Sequence, residues 1–201
     1  MKERKAHGTT LVAVKTKNHI ALATDCLVSA GDYPISITHS VKIYRLAPKL
    51  YMGVTGDVAV ASVLAMLLET TLKENTSLSW KIVLSGFYTT LRAWVEKDGD
   101  PVHKGIAKSL LTRSADWAAG LIIHPTGIYR VLSTGEFDEI EQPIVGDGCG
   151  GNFAEGAARA LLKTKPGWGA SRIAREAVKI AAQSTVFAND VAKVVTVRRA
   201  K

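Results

Sequence analysis

The strongest constraint on the fold comes from two short strands near the N-terminus that are apolar on both faces. Residues 9–15 and 19–25 flank the polar turn Thr16-Lys17-Asn18, which is the pattern of a β-hairpin. The centre of each strand is a run of four apolar residues, at 11–14 and at 20–23. A strand with one face in water would alternate apolar and polar residues. We therefore predict that other layers cover both faces of this hairpin.

The remaining patterns supply enough elements for those layers. Asp57 is expected to cap a first helix, a second helical stripe runs from Trp80 to Trp94, and two more run from Phe153 to Leu161 and from Ile173 to Ala181. An irregular loop is expected between the hairpin and the next strand. Further strands are predicted at residues 41–46, 50–54, 117–124, 128–133, 140–145 and 192–197. This order favours an α+β fold, a four-layer αββα sandwich of two antiparallel sheets with helix pairs outside.

Composition places the chain among soluble globular proteins. Its 201 residues are 47% hydrophobic and 22% charged, which suits a single domain spanning residues 9–201. The N-terminus carries no apolar signal segment, and no stretch approaches the roughly 18 apolar residues of a membrane span. We expect a cytoplasmic protein that does not contact a membrane.

Charge, cysteines and glycines argue against several other kinds of site. Basic residues cluster at both chain ends, within a net charge of +8, but lack the interleaved aromatic residues that stack bases, so no nucleic-acid partner is predicted. The two cysteines, Cys26 and Cys149, and the five histidines lack metal-ligand spacing. Residues 146–151 fit Gly-x-Gly-x-x-Gly, but Ser171 and Arg172 stand about 20 positions on, where a dinucleotide site needs an acidic residue. We predict no metal and no cofactor.

The residues that carry chemistry form short motifs spread along the chain. They are Gly8-Thr9-Thr10, Thr24-Asp25, Val41-Lys42-Ile43, Gly53-Val54-Thr55-Gly56, and Gly148-Cys149-Gly150-Gly151 followed by Ala157-Ala158-Arg159-Ala160-Leu161-Leu162. With these motifs the sequence resembles the proteasome β-subunit family, and within it the HslV-type bacterial peptidases and the branch of betaproteobacterial proteasome homologues. The resemblance implies the N-terminal-nucleophile hydrolase type of sandwich and a threonine-type endopeptidase.

That resemblance also assigns catalytic roles to five residues. Thr9 would be the nucleophile, and its α-amine, with a pKa of about 7.7 to 8.0 when free, would accept the hydroxyl proton. The Lys42 charge would favour that proton loss, Asp25 would orient Lys42, and the Gly56 N–H would bind the oxyanion. Cys149 stands where the family commonly has a serine that hydrogen-bonds near the threonine amine, and a thiol is a weaker partner.

A free Thr9 amine requires cleavage of the bond that follows Gly8. The Thr9 hydroxyl would attack the Gly8 carbonyl, and glycine tolerates the strained turn that this attack needs. Residues 1–8 are therefore predicted to be a propeptide, and the chain a self-activating zymogen.

Substrate contacts follow from the same resemblance. Ser29 and Gly31 would bind an extended peptide through their backbone. An apolar specificity pocket, favouring an apolar residue before the cut, would be lined by Leu27, Val28, Val54 and Val58. The implied partners are further copies of the chain in stacked homo-oligomeric rings, unfolded polypeptide, and an ATP-dependent unfoldase.

Other interpretations stay open at this point. The chain could be an N-terminal-nucleophile amidase for a small amide, with the same Thr9 in a closed pocket. It could be a catalytically impaired proteasome-like scaffold, marked by Cys149 and by Gln183, which stands where the family usually supplies a supporting aspartate. Thr9 could be an ordinary strand residue, Asp25 and Lys42 a structural ion pair, and Cys149 itself the nucleophile.

Overall fold

Two antiparallel sheets packed face to face form the centre of the molecule, as the apolar hairpin requires. They are seen in a computed structural model, which describes residues 6–7, 9–30, 33–36, 41–56, 58–87, 89, 108, 119–132, 137–186 and 188–200. None of the helices in these ranges is long and apolar enough to cross a membrane.

The first sheet contains the hairpin and has the strand order β11-β2-β3-β12. Its strands are β2 (Leu11–Lys15), β3 (His19–Thr24), β11 (Ile144–Asp147) and β12 (Lys193–Arg198). Alternate residues of the hairpin enter two different cores: Leu11 and Ala13 pack towards the second sheet, whereas Val12 and Val14 pack towards helices. All four are fully buried, which confirms that both faces are covered.

The second sheet has the strand order β10-β9-β8-β7-β6. Its strands are β6 (Ile43–Ala47), β7 (Leu50–Val54), β8 (Ala119–His124), β9 (Gly127–Leu132) and β10 (Phe137–Ile140). Gly53 of β7 lies directly against Leu11 of β2, since an added Cβ would come within 2.5 Å of the Leu11 Cδ1 atom. The absence of a side chain at Gly53 therefore lets the two sheets approach closely.

Helices cover the outer face of each sheet and complete the predicted four layers. Helices α1 (Val58–Glu74) and α2 (Trp80–Ser85) pack on the second sheet, and α3 (Gly151–Thr164) and α4 (Ala170–Ala182) pack on the first. Small alanines on α3 and α4, such as Ala158 and Ala177, are fully buried and bring these helices close to β2 and β3. The α+β, four-layer αββα prediction is thus confirmed.

A third, small sheet lies where an irregular loop was expected. It joins β1 (Ala6–His7), β4 (Val28–Ala30) and β5 (Tyr33–Ser36) in the order β1-β4-β5. The expectation was wrong because β4 and β5 are too short to show an alternating pattern, and β1 reaches them from outside the predicted domain.

Two predictions about single elements also need correction. The apolar run at 140–145 is not one strand: β10 ends at Ile140 in the second sheet and β11 begins at Ile144 in the first. The intervening Glu141-Gln142-Pro143 is exposed, and Pro143 lacks the N–H that a continuous ladder would need.

Phe153 and Ile180, expected on buried helix faces, are 48% and 40% exposed in the single chain. The predicted Asp57 cap and the second half of the 80–94 helix lie outside the described residues.

Candidate active site

Thr9 lies at the edge where three strands end around the start of β2. Because β2 runs antiparallel to β3 and β11, the residues that follow those strands, Asp25 and the 148–150 segment, come beside Thr9 and Thr10. Thr55 follows β7 in the facing sheet and reaches the same edge. Topology therefore gathers residues that are far apart in sequence.

Asp25 and Lys42 form a buried ion pair next to this edge. Lys42 Nζ donates a 2.8 Å hydrogen bond to Asp25 Oδ1, and neither residue is more than 1% exposed. Asp25 also accepts hydrogen bonds from the backbone N–H of Thr10 at 2.8 Å and of Leu27 at 3.0 Å. The carboxylate thus fixes the lysine, the residue after Thr9, and the loop that follows β3.

Burial dominates the electrostatics of the pair. Removal from water lowers the pKa of the Lys42 ammonium below its ordinary value, and the neighbouring Asp25 charge opposes this shift. Removal from water likewise raises the pKa of Asp25, against the Lys42 charge and the hydrogen bonds it accepts. A lysine placed in this way can change its protonation state more readily than a surface lysine.

Glycine backbone forms the other side of the site. Gly148 has φ +79°, and an added Cβ would lie 2.3 Å from the carbonyl oxygen of Thr9. The Gly150 N–H donates to that same carbonyl at 3.3 Å. Gly56 has φ +98°, a conformation that side chains other than glycine rarely adopt. The main chain of Thr9 is therefore held by Gly148 and Gly150. Gly56 has no side chain that would cover its own backbone.

We expect Gly148→Ala to lower the free energy of unfolding by about 1 to 3 kcal/mol, because the new Cβ must displace the Thr9 carbonyl and strain a positive φ. Urea unfolding of the variant and the wild type measures this. The matched control is Gly156→Ala, in the exposed part of α3, where an added Cβ meets nothing within 4 Å and the helix should gain about 1 kcal/mol. Equal stability of the two variants would contradict the close packing of Gly148 on Thr9.

Cys149 lies between the two glycines that contact Thr9 and is exposed. The structure thus brings Thr9, Asp25, Lys42 and Cys149 to one edge of the sandwich. Gln183 instead ends α4: its N–H donates to the Ile180 carbonyl and its side chain is exposed.

The residues predicted to bind substrate are only partly described. Leu27, Val28 and Val54 are buried, at 6%, 8% and 4% exposure, so their role in a specificity pocket stays a prediction. Ser29 lies in β4 and pairs with His7 of β1 through the main chain. Val58 begins α1, although its side chain is outside the described part. Gly8 and Gly31 lie outside the described residues.

Sequence reasoning missed two polar residues at this edge. Asn189 accepts a 3.0 Å hydrogen bond from the Cys26 N–H through its side-chain oxygen and so holds the loop after Asp25. Asp147 accepts from the Gly148 N–H at 2.6 Å and from the Thr55 hydroxyl at 3.4 Å. A carboxylate at the end of an otherwise apolar strand was the available signal for Asp147, whereas Asn189 gave none because its partner is 163 residues away.

The site offers a hydroxyl, a buried cation and backbone donors, which are the groups that acyl transfer requires. Within the described ranges, no cluster of histidine, cysteine and acidic residues could hold a metal ion.

Comparison with known proteins gives consistent matches in sequence and in fold. A family model described as proteasome subunit matches residues 5–85. A protein of Desulfovibrio desulfuricans named ATP-dependent protease subunit HslV is 32% identical over 92% of this chain and 94% of its own length. The crystal structure of eukaryotic HslV from Trypanosoma brucei superposes with a TM-score of 0.72 at 23% identity, covering 94% of this chain and 99% of that one. Thiobacillus denitrificans BPH in complex with epoxomicin gives a TM-score of 0.70 at 21% identity, covering 96% and 100%.

Proposed function

The chain belongs to the proteasome family, and on this premise we propose that Thr9 is the nucleophile of a self-processing peptidase subunit that hydrolyses peptide bonds of unfolded proteins. Its class is that of its relatives, a threonine-type N-terminal-nucleophile peptidase. The observation that carries the assignment to Thr9 is the buried Lys42–Asp25 pair, which is hydrogen-bonded to the backbone of the adjacent Thr10. Burying two charges carries a desolvation cost, and a role in the reaction at Thr9 would explain why the pair stands at this position.

The proposed reaction proceeds in two steps on Thr9. The Thr9 hydroxyl oxygen attacks the scissile carbonyl carbon while its proton passes to the Thr9 α-amine, directly or through water. The Gly56 N–H stabilises the oxyanion of the tetrahedral intermediate. The C–N bond then breaks, and the leaving amine takes that proton. Water hydrolyses the resulting ester and returns a proton to the Thr9 oxygen.

Lys42 acts in this scheme by its charge. A protonated ammonium near Thr9 favours loss of the hydroxyl proton, and Asp25 maintains that charge because a nearby carboxylate raises the lysine pKa. In this proposal Cys149 supports the Thr9 amine from the position where the family commonly has a serine.

The pH dependence of kcat provides a test of this role. In Asp25→Asn the charge that raises the Lys42 pKa is gone, so Lys42 loses its proton at a lower pH. We expect the alkaline fall of kcat to move to lower pH than in the wild type, measured by peptide hydrolysis across the pH range. Glu139→Gln, which removes the charge of the exposed partner of Lys81, should leave the pH dependence of kcat unchanged. If the alkaline fall of kcat in Asp25→Asn occurs at the same pH as in the wild type, or at a higher pH, the proposed role of the pair is contradicted.

The N-terminal strand supports the propeptide and the peptide-binding edge together. In β1, Ala6 and His7 pair antiparallel with Ala30 and Ser29 of β4. This is main-chain recognition of an extended segment, the mode by which a peptide adds to a sheet edge. Residues just before Thr9 thus use the edge proposed for substrate, in keeping with the Gly8–Thr9 bond as the first bond that the site cleaves.

Assembly and partners follow from the relatives and from the exposed surface. The relatives are named subunits of an ATP-dependent protease, which supports an ATP-driven partner that delivers unfolded chains. Large apolar side chains are exposed on the outer helices, including Met66 of α1, Ile82 of α2, Phe153 of α3 and Ile180 of α4. Such side chains on both outer layers suit contacts between copies in stacked rings.

Mass and activity measured together on the purified full-length chain test the proposed function. We expect intact mass spectrometry to show loss of residues 1–8, and chromogenic peptides with an apolar residue before the cut to be hydrolysed once that loss occurs. A panel of small amides lacking a peptide backbone should not be cleaved at a comparable rate. A chain that keeps residues 1–8 and hydrolyses no peptide would contradict the proposal, and preference for small amides would favour an amidase.

A further inference from the structure

Asp147 is the last residue of β11 and points between the two sheets. Its neighbours in the strand alternate, with Ile144 in the core beneath the helices and Val145 in the core between the sheets. The same alternation places Asp147, which pairs with Leu11 of β2, on the side of Val145. A carboxylate therefore occupies the edge of an otherwise apolar interface, next to the start of β2.

One oxygen of this carboxylate ties two separate segments together. Asp147 Oδ1 accepts a 2.6 Å hydrogen bond from the Gly148 N–H and a 3.4 Å hydrogen bond from the Thr55 hydroxyl. Gly148 continues from the first sheet, whereas Thr55 continues from β7 of the second sheet. The carboxylate thus links the two sheets at the edge that holds Thr9.

Both tethered segments belong to the surroundings of Thr9. The Cα of Gly148 faces the Thr9 carbonyl, and an added Cβ there would lie 3.2 Å from Thr55 Cγ2. Thr55 directly precedes Gly56, the proposed oxyanion donor. Displacement of Thr55 would move the Gly56 N–H, and an oxyanion donor is effective only over a few tenths of an ångström.

The environment of Asp147 is costly for a carboxylate that only ends a strand. Burial raises the pKa of the Asp147 carboxyl, while the Gly148 N–H, the Arg130 charge and the Thr55 hydroxyl act in the opposite direction. An apolar residue at this position would extend the core between the sheets without that penalty. A gain other than packing is needed to explain the carboxylate.

We propose that Asp147 is a positioning residue for peptide hydrolysis, which holds the Thr55–Gly56 and Gly148–Cys149 segments at a fixed separation around Thr9. The inference rests on the proposed peptidase function. Asp147 acts through the hydrogen bonds that its Oδ1 accepts from Gly148 and Thr55. Its effect therefore falls on kcat rather than on KM.

A double-mutant cycle tests the role directly. Asp147→Ala should lower kcat about tenfold or more with KM changed by less than about threefold, and the nearly isosteric Thr55→Val should lower kcat in the same direction. Because both changes break the hydrogen bond between Thr55 and Asp147, the double variant should be little worse than Asp147→Ala alone. Asp147→Asn keeps an oxygen that can accept both hydrogen bonds and should recover most of the kcat lost in Asp147→Ala.

Asp138→Ala, which removes an exposed carboxylate from β10, is the matched control and should leave kcat unchanged. The positioning role would be overturned if the kcat of the double variant fell by the product of the two single-variant factors. It would also be overturned if the kcat of Asp147→Asn were as low as that of Asp147→Ala. An unaltered kcat in Asp147→Ala would overturn it as well. These results in an active wild type leave the peptidase function standing, whereas a wild type that hydrolyses no peptide overturns both.

Discussion

Thr9→Ala is expected to abolish peptide hydrolysis and, in the same protein, removal of residues 1–8. Alanine has no hydroxyl to attack the Gly8 carbonyl or a substrate carbonyl, and no other group on the Thr9 side chain can replace it. Loss of a nucleophile of this kind lowers kcat by at least about a thousandfold. Intact mass and chromogenic peptide hydrolysis, measured on the same preparation, give both results.

Thr9→Ala should keep the wild-type fold, because the contacts of Thr9 with Gly148 and Gly150 are made by its main chain, and far-UV circular dichroism checks this. Thr9→Ser keeps the hydroxyl and should retain measurable processing and hydrolysis, although the lost methyl frees χ1 and slows both. Thr164→Ala, at the end of α3, is a control that should change neither rate. Processing of Thr9→Ala at the wild-type rate would show that another nucleophile, or a contaminating protease, removes the segment.

Lys42→Met is expected to lower both activity and stability. It removes the cation that we propose favours proton loss from Thr9, so we expect kcat to fall at least about a hundredfold. It also leaves Asp25 charged, 0% exposed and without its partner, which typically lowers the free energy of unfolding by about 3 to 5 kcal/mol. Urea unfolding and steady-state hydrolysis measure the two effects.

The double variant Asp25→Asn/Lys42→Met separates these effects, since it buries no unpaired charge. It should regain part of the stability lost in Lys42→Met but none of the activity. Lys73→Met provides the surface comparison: Lys73 pairs with Glu69 one turn away on α1 while 71% exposed, so the change should be within about 0.5 kcal/mol. A Lys42→Met protein with wild-type kcat would reduce the buried pair to a structural role.

Much of this molecule could be predicted because local sequence and global fold agree. Four successive apolar residues in each strand of the hairpin required two covered faces, and the structure buries Leu11 and Val12 in different cores. Asp25 and Lys42 were predicted from motifs, and the fold brings them to 2.8 Å. Such patterns predict the structure correctly because the burial of apolar side chains determines where these segments lie in the fold.

The parts that escaped prediction depend on contacts between distant segments. The run at 140–145 looked continuous, yet the exposed turn at Glu141 to Pro143 sends its two ends into different sheets. The small sheet of β1, β4 and β5 forms by pairing of very short strands. The positioning role proposed for Asp147 depends on its hydrogen bond with Thr55, which is 92 residues away in the sequence. Such long-range pairings leave no periodic trace in a single sequence.

The identity of the nucleophile can be tested most directly by covalent labelling. A peptide epoxyketone closes a ring with a hydroxyl and an amine of one residue, so it reports an N-terminal threonine and not a thiol. After incubation of the full-length protein, peptide mapping by mass spectrometry should show one adduct per chain, on Thr9, only in molecules that have lost residues 1–8, and none in Thr9→Ala. An adduct on Cys149, or none in a processed and peptide-cleaving preparation, would contradict Thr9 as the nucleophile.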